Sequence, residues 1–180
     1  MREMEDASTR FLRDAHILAR LVEQIFERGY LRQVAGPRLT FDQLNVLKFL
    51  NRPGLRLVRD VSHFLNASYA AASKAVTRLE RKGLVTRSNH PHDRRAERLD
   101  VTPKGKHVIG RYEELKKARL RELARDEDLD GLSKALETVI ALLMRERSSA
   151  GNPCLGCGAY YARECVVRAH GQHCRCTPGT

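Results

Sequence analysis

The sequence predicts a mainly α fold carrying a small β-wing. Apolar residues recur at helical spacing through most of residues 6–147. Between Val61 and Lys106 a short apolar helix, a second helix with one wet basic face, and a two-stranded ribbon with a charged tip follow one another in that order. The same region concentrates the positive charge. Residues 52–106 hold 13 Lys and Arg against 5 Asp and Glu, a net of +8 out of +11 for the whole 180-residue chain. That order of elements is a winged helix-turn-helix, in which a short turn between two helices aims the second at a DNA major groove.

From Asp6 to Tyr30, Phe11, Leu12, Ala15, Leu18, Leu21, Val22, Ile25 and Phe26 form a broad apolar stripe, with Gly29 expected to end the helix. The stripe is wide enough to bury against a second subunit. Thr40 is an N-cap for a helix over Phe41–Leu50, and Asn51-Arg52-Pro53-Gly54 is a turn. The next helix is expected over Leu57–Leu65, with Leu57, Val58, Val61, Phe64 and Leu65 as its stripe. Asn66-Ala67 breaks it. Ser68 then caps a second helix over Tyr69–Lys82, stopped by Gly83. Its Ala72, Val76 and Leu79 should face the protein. Leu84–Arg87 and Ala96–Val101 read as paired strands, joined by a turn over Ser88–Arg95. Thr102-Pro103 opens a charged helix to about Arg125. A loop over Asp126–Asp130 precedes a last striped helix from Leu132 to about Arg147.

The 42% hydrophobic content and pI near 9.9 describe a globular protein with a polyanionic partner. No stretch approaches the ~18 apolar residues of a membrane span, and the first residues do not resemble a signal peptide. A cytoplasmic location and no membrane partner are therefore expected.

Three motifs carry a family resemblance: Ala75-Val76-Thr77-Arg78-Leu79-Glu80-Arg81-Lys82-Gly83-Leu84-Val85, then Asp93-Arg94-Arg95-Ala96, then Val101-Thr102-Pro103-Lys104-Gly105. In this order they resemble the winged-helix domain of the MarR family of transcription regulators. The resemblance implies a MarR-like homodimer interlocked through its first and last helices. Residues 1–36 would be the N-terminal dimerisation helix, 37–104 the DNA-binding domain, and 105–148 the linker and C-terminal dimerisation helices. It implies that Arg94 enters a minor groove with Asp93 and Arg95 beside it, and that Tyr69, Ser73, Lys74, Thr77 and Arg78 lie on the recognition helix. With Ser68 and Arg87, these are the candidate contacts to double-stranded DNA. A two-fold dimer would read a palindromic operator with half-sites roughly 34 Å apart. A repressor is expected, responsive to a small-molecule effector in the crevice between dimer and DNA-binding regions, where His16, Arg20 and His107 are candidates.

The tail over 149–180 is set apart by composition. All five cysteines lie there, at Cys154, Cys157, Cys165, Cys174 and Cys176, spaced C-x2-C-x7-C-x8-C-x-C. The Cys154/Cys157 pair suits a metal held from one tight turn, and two later thiolates complete four ligands. Three readings stand: zinc as a structural clasp, a [4Fe-4S] or other iron–sulfur cluster as a redox or oxygen sensor, and disulfides or free thiols. Two alternatives to a specific regulator follow: a metal-dependent or thiol redox enzyme using the tail, and a non-specific architectural DNA-binding protein. The absence of a partnered acid/base constellation, a phosphate-cradling glycine loop or an HExxH-type motif argues against the enzyme.

Overall fold

The computed structural model describes residues 6–54, 56–90 and 93–145. The chain opens with helix α1 (Ala7–Val22), whose first turn is capped by Asp6: its Oδ1 accepts from the Ser8 amide at 2.7 Å. The helical path does not stop at Gly29 as expected. It continues through a π-wound stretch (Glu23–Tyr30) into α2 (Leu31–Ala35) and ends at Gly36, where φ is +70°. A Cβ on Gly29 would lie 3.0 Å from the Gln24 carbonyl oxygen, so here the glycine lets the wider turn close rather than ending it.

Helix α3 (Phe41–Leu50) begins with a reciprocal cap. The Gln43 amide donates to Thr40 Oγ1 at 3.3 Å, and the Thr40 amide donates to Gln43 Oε1 at 3.4 Å. Helix α4 (Val58–Leu65) starts one residue later than expected. Leu57 is extended, and Asp60 Oδ2 accepts its amide at 2.7 Å. A left-handed Asn66 closes α4, and Ser68 caps α5 (Tyr69–Arg81) by accepting from the Ala71 amide. Gly83, at φ +68°, ends α5: its amide reaches Glu80 O and the Leu84 amide reaches Leu79 O. This paired arrangement satisfies carbonyls the helix end would otherwise leave open.

The wing is longer than expected. Strand β1 (Val85–His90) pairs antiparallel with β2 (Asp93–Val101), so most of the anticipated turn is itself strand. Asn89 pairs with Glu97 but His90 with Asp93, a register break that leaves Arg94, Arg95 and Ala96 as a bulge on β2. Leu57 adds a single bridge to Arg98, giving the wing a short third edge.

Helix α6 (Pro103–Leu123) is capped by Thr102, and its Gly105 sits where a Cβ would meet Leu84 O at 2.4 Å and Val101 Cγ1 at 2.7 Å. Helix α7 (Leu129–Arg145) begins three residues before the expected Leu132, because Asp128 Oδ1 accepts from the Gly131 amide and sets an earlier start. The core gathers Leu44, Leu47, Val61, Phe64, Val76 and Leu79 with Leu99 and Tyr112. Phe49 and Phe64 stack within it at 4.4 Å. It also takes in Tyr30 and Leu31, so the packing runs across residue 36 as well as residue 104.

Candidate nucleic-acid interface

Ala72, Val76 and Leu79 are fully buried, which fixes the rotation of α5. At about 100° per residue the opposite side carries Ala70, Lys74 and Arg81 along one line, with Arg78 beside them. All four are exposed, and Lys74, Arg78 and Arg81 make no ion pair or hydrogen bond among the described residues. Tyr69 opens the helix, 61% exposed, and Ser68 is exposed although its hydroxyl is engaged as the cap. Arg81 was not among the candidate contacts, yet it lies seven residues beyond Lys74, two turns along the same face.

Arg87 has a different place from the outward cations. Its side chain is 18% exposed and ties three elements together. Nε reaches Glu80 on α5 at 3.2 Å, Nη1 reaches Glu97 on β2 at 2.6 Å, and Nη2 donates to Thr77 Oγ1 at 3.0 Å and Ser73 O at 3.3 Å. Thr77 in turn donates to Ser73 O at 2.9 Å. Ser73 and Thr77 are thereby half-buried beneath the wing. The planar guanidinium fork suits this multi-point task as an ammonium would not. The backbone at Asp93, Arg94 and Arg95 is strand and bulge at the far end of the ribbon from Val101.

A half-buried ion pair couples the winged unit to α6. Lys48 on α3 is 8% exposed and its Nζ lies 2.7 Å from Glu113, which also meets Lys116 at 2.9 Å. Burial alone would raise the Glu113 pKa, but the hydrogen bonds and charges of the two lysines outweigh it and hold the carboxyl below the usual range. Tyr112 donates to Phe26 O in the π-wound stretch at 3.0 Å. Burial, with the charges of Glu113 and Glu27, pushes its phenol upward.

Comparison with known proteins bears on this geometry. A family profile described as MarR family matches residues 39–96, from just before α3 into β2. The uncharacterized HTH-type transcriptional regulator YfiV of Bacillus subtilis (strain 168) is 34% identical over 109 residues, covering 55% of this chain and 68% of YfiV. The chain belongs to the MarR family. It is therefore a winged helix-turn-helix transcriptional regulator and not an enzyme. Solved structures agree with this MarR-family fold. RV1404 from Mycobacterium tuberculosis superposes with a TM-score of 0.65 at 19% identity, covering 83% of this chain and 99% of RV1404. FabT of Streptococcus pneumoniae, in complex with DNA, gives 0.61 at 18% identity, covering 76% of this chain and 99% of FabT.

Of the effector candidates, His107 lines a 310 Å³ recess between α2 and α6, together with Gln33, Val34, Arg111 and Leu115. His16 and Arg20 do not line it, and Arg20 instead pairs with Glu23 at 3.0 Å. A larger recess of 680 Å³ lies between the π-wound stretch and the start of α3. There, burial and the charges of Glu23 and Asp42 raise the pKa of Glu27. Among the described residues no helix is long and apolar enough to cross a membrane, and no group of three or more His, Cys, Asp or Glu could hold a metal. The metal-ligand candidates Cys154, Cys157, Cys165, Cys174 and Cys176 lie outside the described residues.

Proposed function

We propose that this MarR-family protein is a cytoplasmic homodimer that represses transcription by binding palindromic operators. The observation that carries the DNA-binding half is the outward cationic line Lys74–Arg78–Arg81, joined to the wing through Arg87. The FabT structure, which holds DNA on the same fold, supports it. The dimer is supported by two helices with nothing of their own buried. Neither α1 nor α7 has a buried residue, and Leu12, Leu18 and Leu21 on α1, with Leu132, Leu136 and Leu143 on α7, remain exposed. A second copy would cover both.

An anionic effector in the recess beside His107 and Arg111 would act by population shift, favouring dimers whose recognition helices are mis-spaced. The cysteine tail would hold zinc or an iron–sulfur cluster. Metal analysis and an absorption spectrum of protein purified without oxygen separate these: a brown protein with iron and sulfide makes the tail a sensor, a colourless one with zinc makes it a clasp.

The test of the main reading is fluorescence anisotropy of the full chain, titrated into a duplex selected from a random library and into random DNA at one salt concentration. A specific regulator prefers the selected duplex by about a thousandfold or more, whereas phosphate contacts alone give little preference. Arg94→Ala should weaken binding strongly without altering dimerisation or folding. A change within about twofold, roughly 0.4 kcal/mol, would remove Arg94 from the interface.

A further inference from the structure

We propose that recognition is divided along α5. Lys74 reads a guanine edge and Ala70 a thymine methyl, while Arg78 and Arg81 hold phosphates. This rests on the reading of the protein as a sequence-specific DNA-binding dimer and assigns the base chemistry of its half-site.

Part of the polar surface of α5 is withdrawn from solvent. Ser73 and Thr77 are polar residues of the kind that read bases, but Thr77 Oγ1 both donates to Ser73 O and accepts from Arg87, and both residues are half-buried. Glu80, the acidic side chain within α5, is drawn to Arg87. The outward line is left with a methyl at Ala70, an ammonium at Lys74 and guanidinium groups at Arg78 and Arg81.

Position along the helix then assigns roles. The N-terminal residues of a recognition helix reach base edges. Ala70 and Lys74 lie in the first two turns, whereas Arg78 and Arg81 lie in the last turn of a helix ending at Arg81. An ammonium has three donors and no acceptor, which matches the N7 and O6 acceptors of guanine. A methyl has only surface to offer, which matches the C5-methyl of thymine. The half-site should therefore contain a thymine close to an essential guanine.

The experiment uses full-length protein and a duplex it enriches from a random-sequence library. Each guanine is replaced singly by 7-deazaguanine, and each thymine by deoxyuridine. For the unaltered protein, one guanine per half-site should show about a tenfold loss, and one nearby thymine a loss of about threefold. The guanine effect should vanish in Lys74→Ala. Arg81→Ala should weaken all duplexes alike and reduce the salt slope by about one phosphate. The proposal is overturned if Lys74→Ala keeps the base preferences of the unaltered protein at every position, if Arg81→Ala relaxes one position, or if no thymine responds. Because the base analogues probe the contacts with an unaltered protein, a misfolded variant does not decide the result. A library from which no sequence is enriched overturns the sequence-specific reading itself, and this assignment with it. Enrichment followed by unchanged preferences overturns the assignment alone.

Discussion

The unit from Phe41 to Tyr112 and the helices at either end of the described chain treat their apolar residues in opposite ways. In the winged unit, Leu44, Leu47, Val61, Val76 and Leu79 are fully buried, and even Lys48 is enclosed with a partner. In α1 and α7 no residue is buried, although both carry apolar stripes with similar periodicity. Burying one leucine stabilises by roughly 2 kcal/mol, so the winged unit can offset its own ordering entropy while the flanking helices need another surface. Similar sequence patterns thus serve two purposes. One set closes a domain on itself, and the other stays exposed, where the dimer we propose would cover it.

The contrast can be broken first at its strongest point. Leu79→Ala should cost about 2–5 kcal/mol at every protein concentration, because it empties a site within the chain's own core. Leu136→Ala on α7 should instead make unfolding more concentration-dependent and weaken the dimer. Chemical denaturation at two concentrations, with sedimentation, compares them. Equal concentration-independent losses would mean that α7 packs on its own chain. Next, Glu113→Gln removes the carboxylate that meets the enclosed Lys48 and should cost about 2–3 kcal/mol at neutral pH. The Glu113 pKa is depressed in the folded protein, so its contribution is present above the ordinary glutamate range and is lost as pH falls through the lower folded value. Melting curves of the two proteins should therefore converge in acid, and a gap that widened there would reverse the assignment. The smallest effect belongs to Arg87→Lys, which keeps the charge but not the fork. DNA affinity should fall about tenfold, ~1.4 kcal/mol, with dimerisation unchanged. Unchanged affinity would mean that the wing and α5 do not need this clamp.

Local chemistry made much of the winged unit legible in the sequence. Thr40, Ser68 and Thr102 are caps whose oxygen finds an amide three residues ahead, and Gly83 ends α5 because it alone there adopts a positive φ. The misreadings have non-local causes. Gly29 and Gly36 both look like helix stops, and only the path of the backbone separates a widened turn from an end. The strands run on through Ser88, Asn89 and His90 because pairing across the ribbon, not apolar alternation, holds them. Leu57 joins the sheet through a residue some forty positions away. The interface was legible as a charge footprint but not as a division of labour. Nothing in the spacing shows that Arg87 gathers Glu80, Glu97 and Thr77, and so removes itself and its neighbours from the outward face.

Gly105 carries one more consequence. At this point α6 lies against Leu84 and Val101, with no room for a side chain between helix and wing root. The contact works as a fulcrum. With 21 residues, α6 is about 30 Å long, and a tilt of about 5° at Gly105 sweeps its far end, about 27 Å away, through about 2 Å. That far end carries Leu120 and Leu123, both exposed. Small displacements at the far end would thus be geared down into fine rotations of the wing, and a bulkier residue at 105 would lift the lever off its pivot.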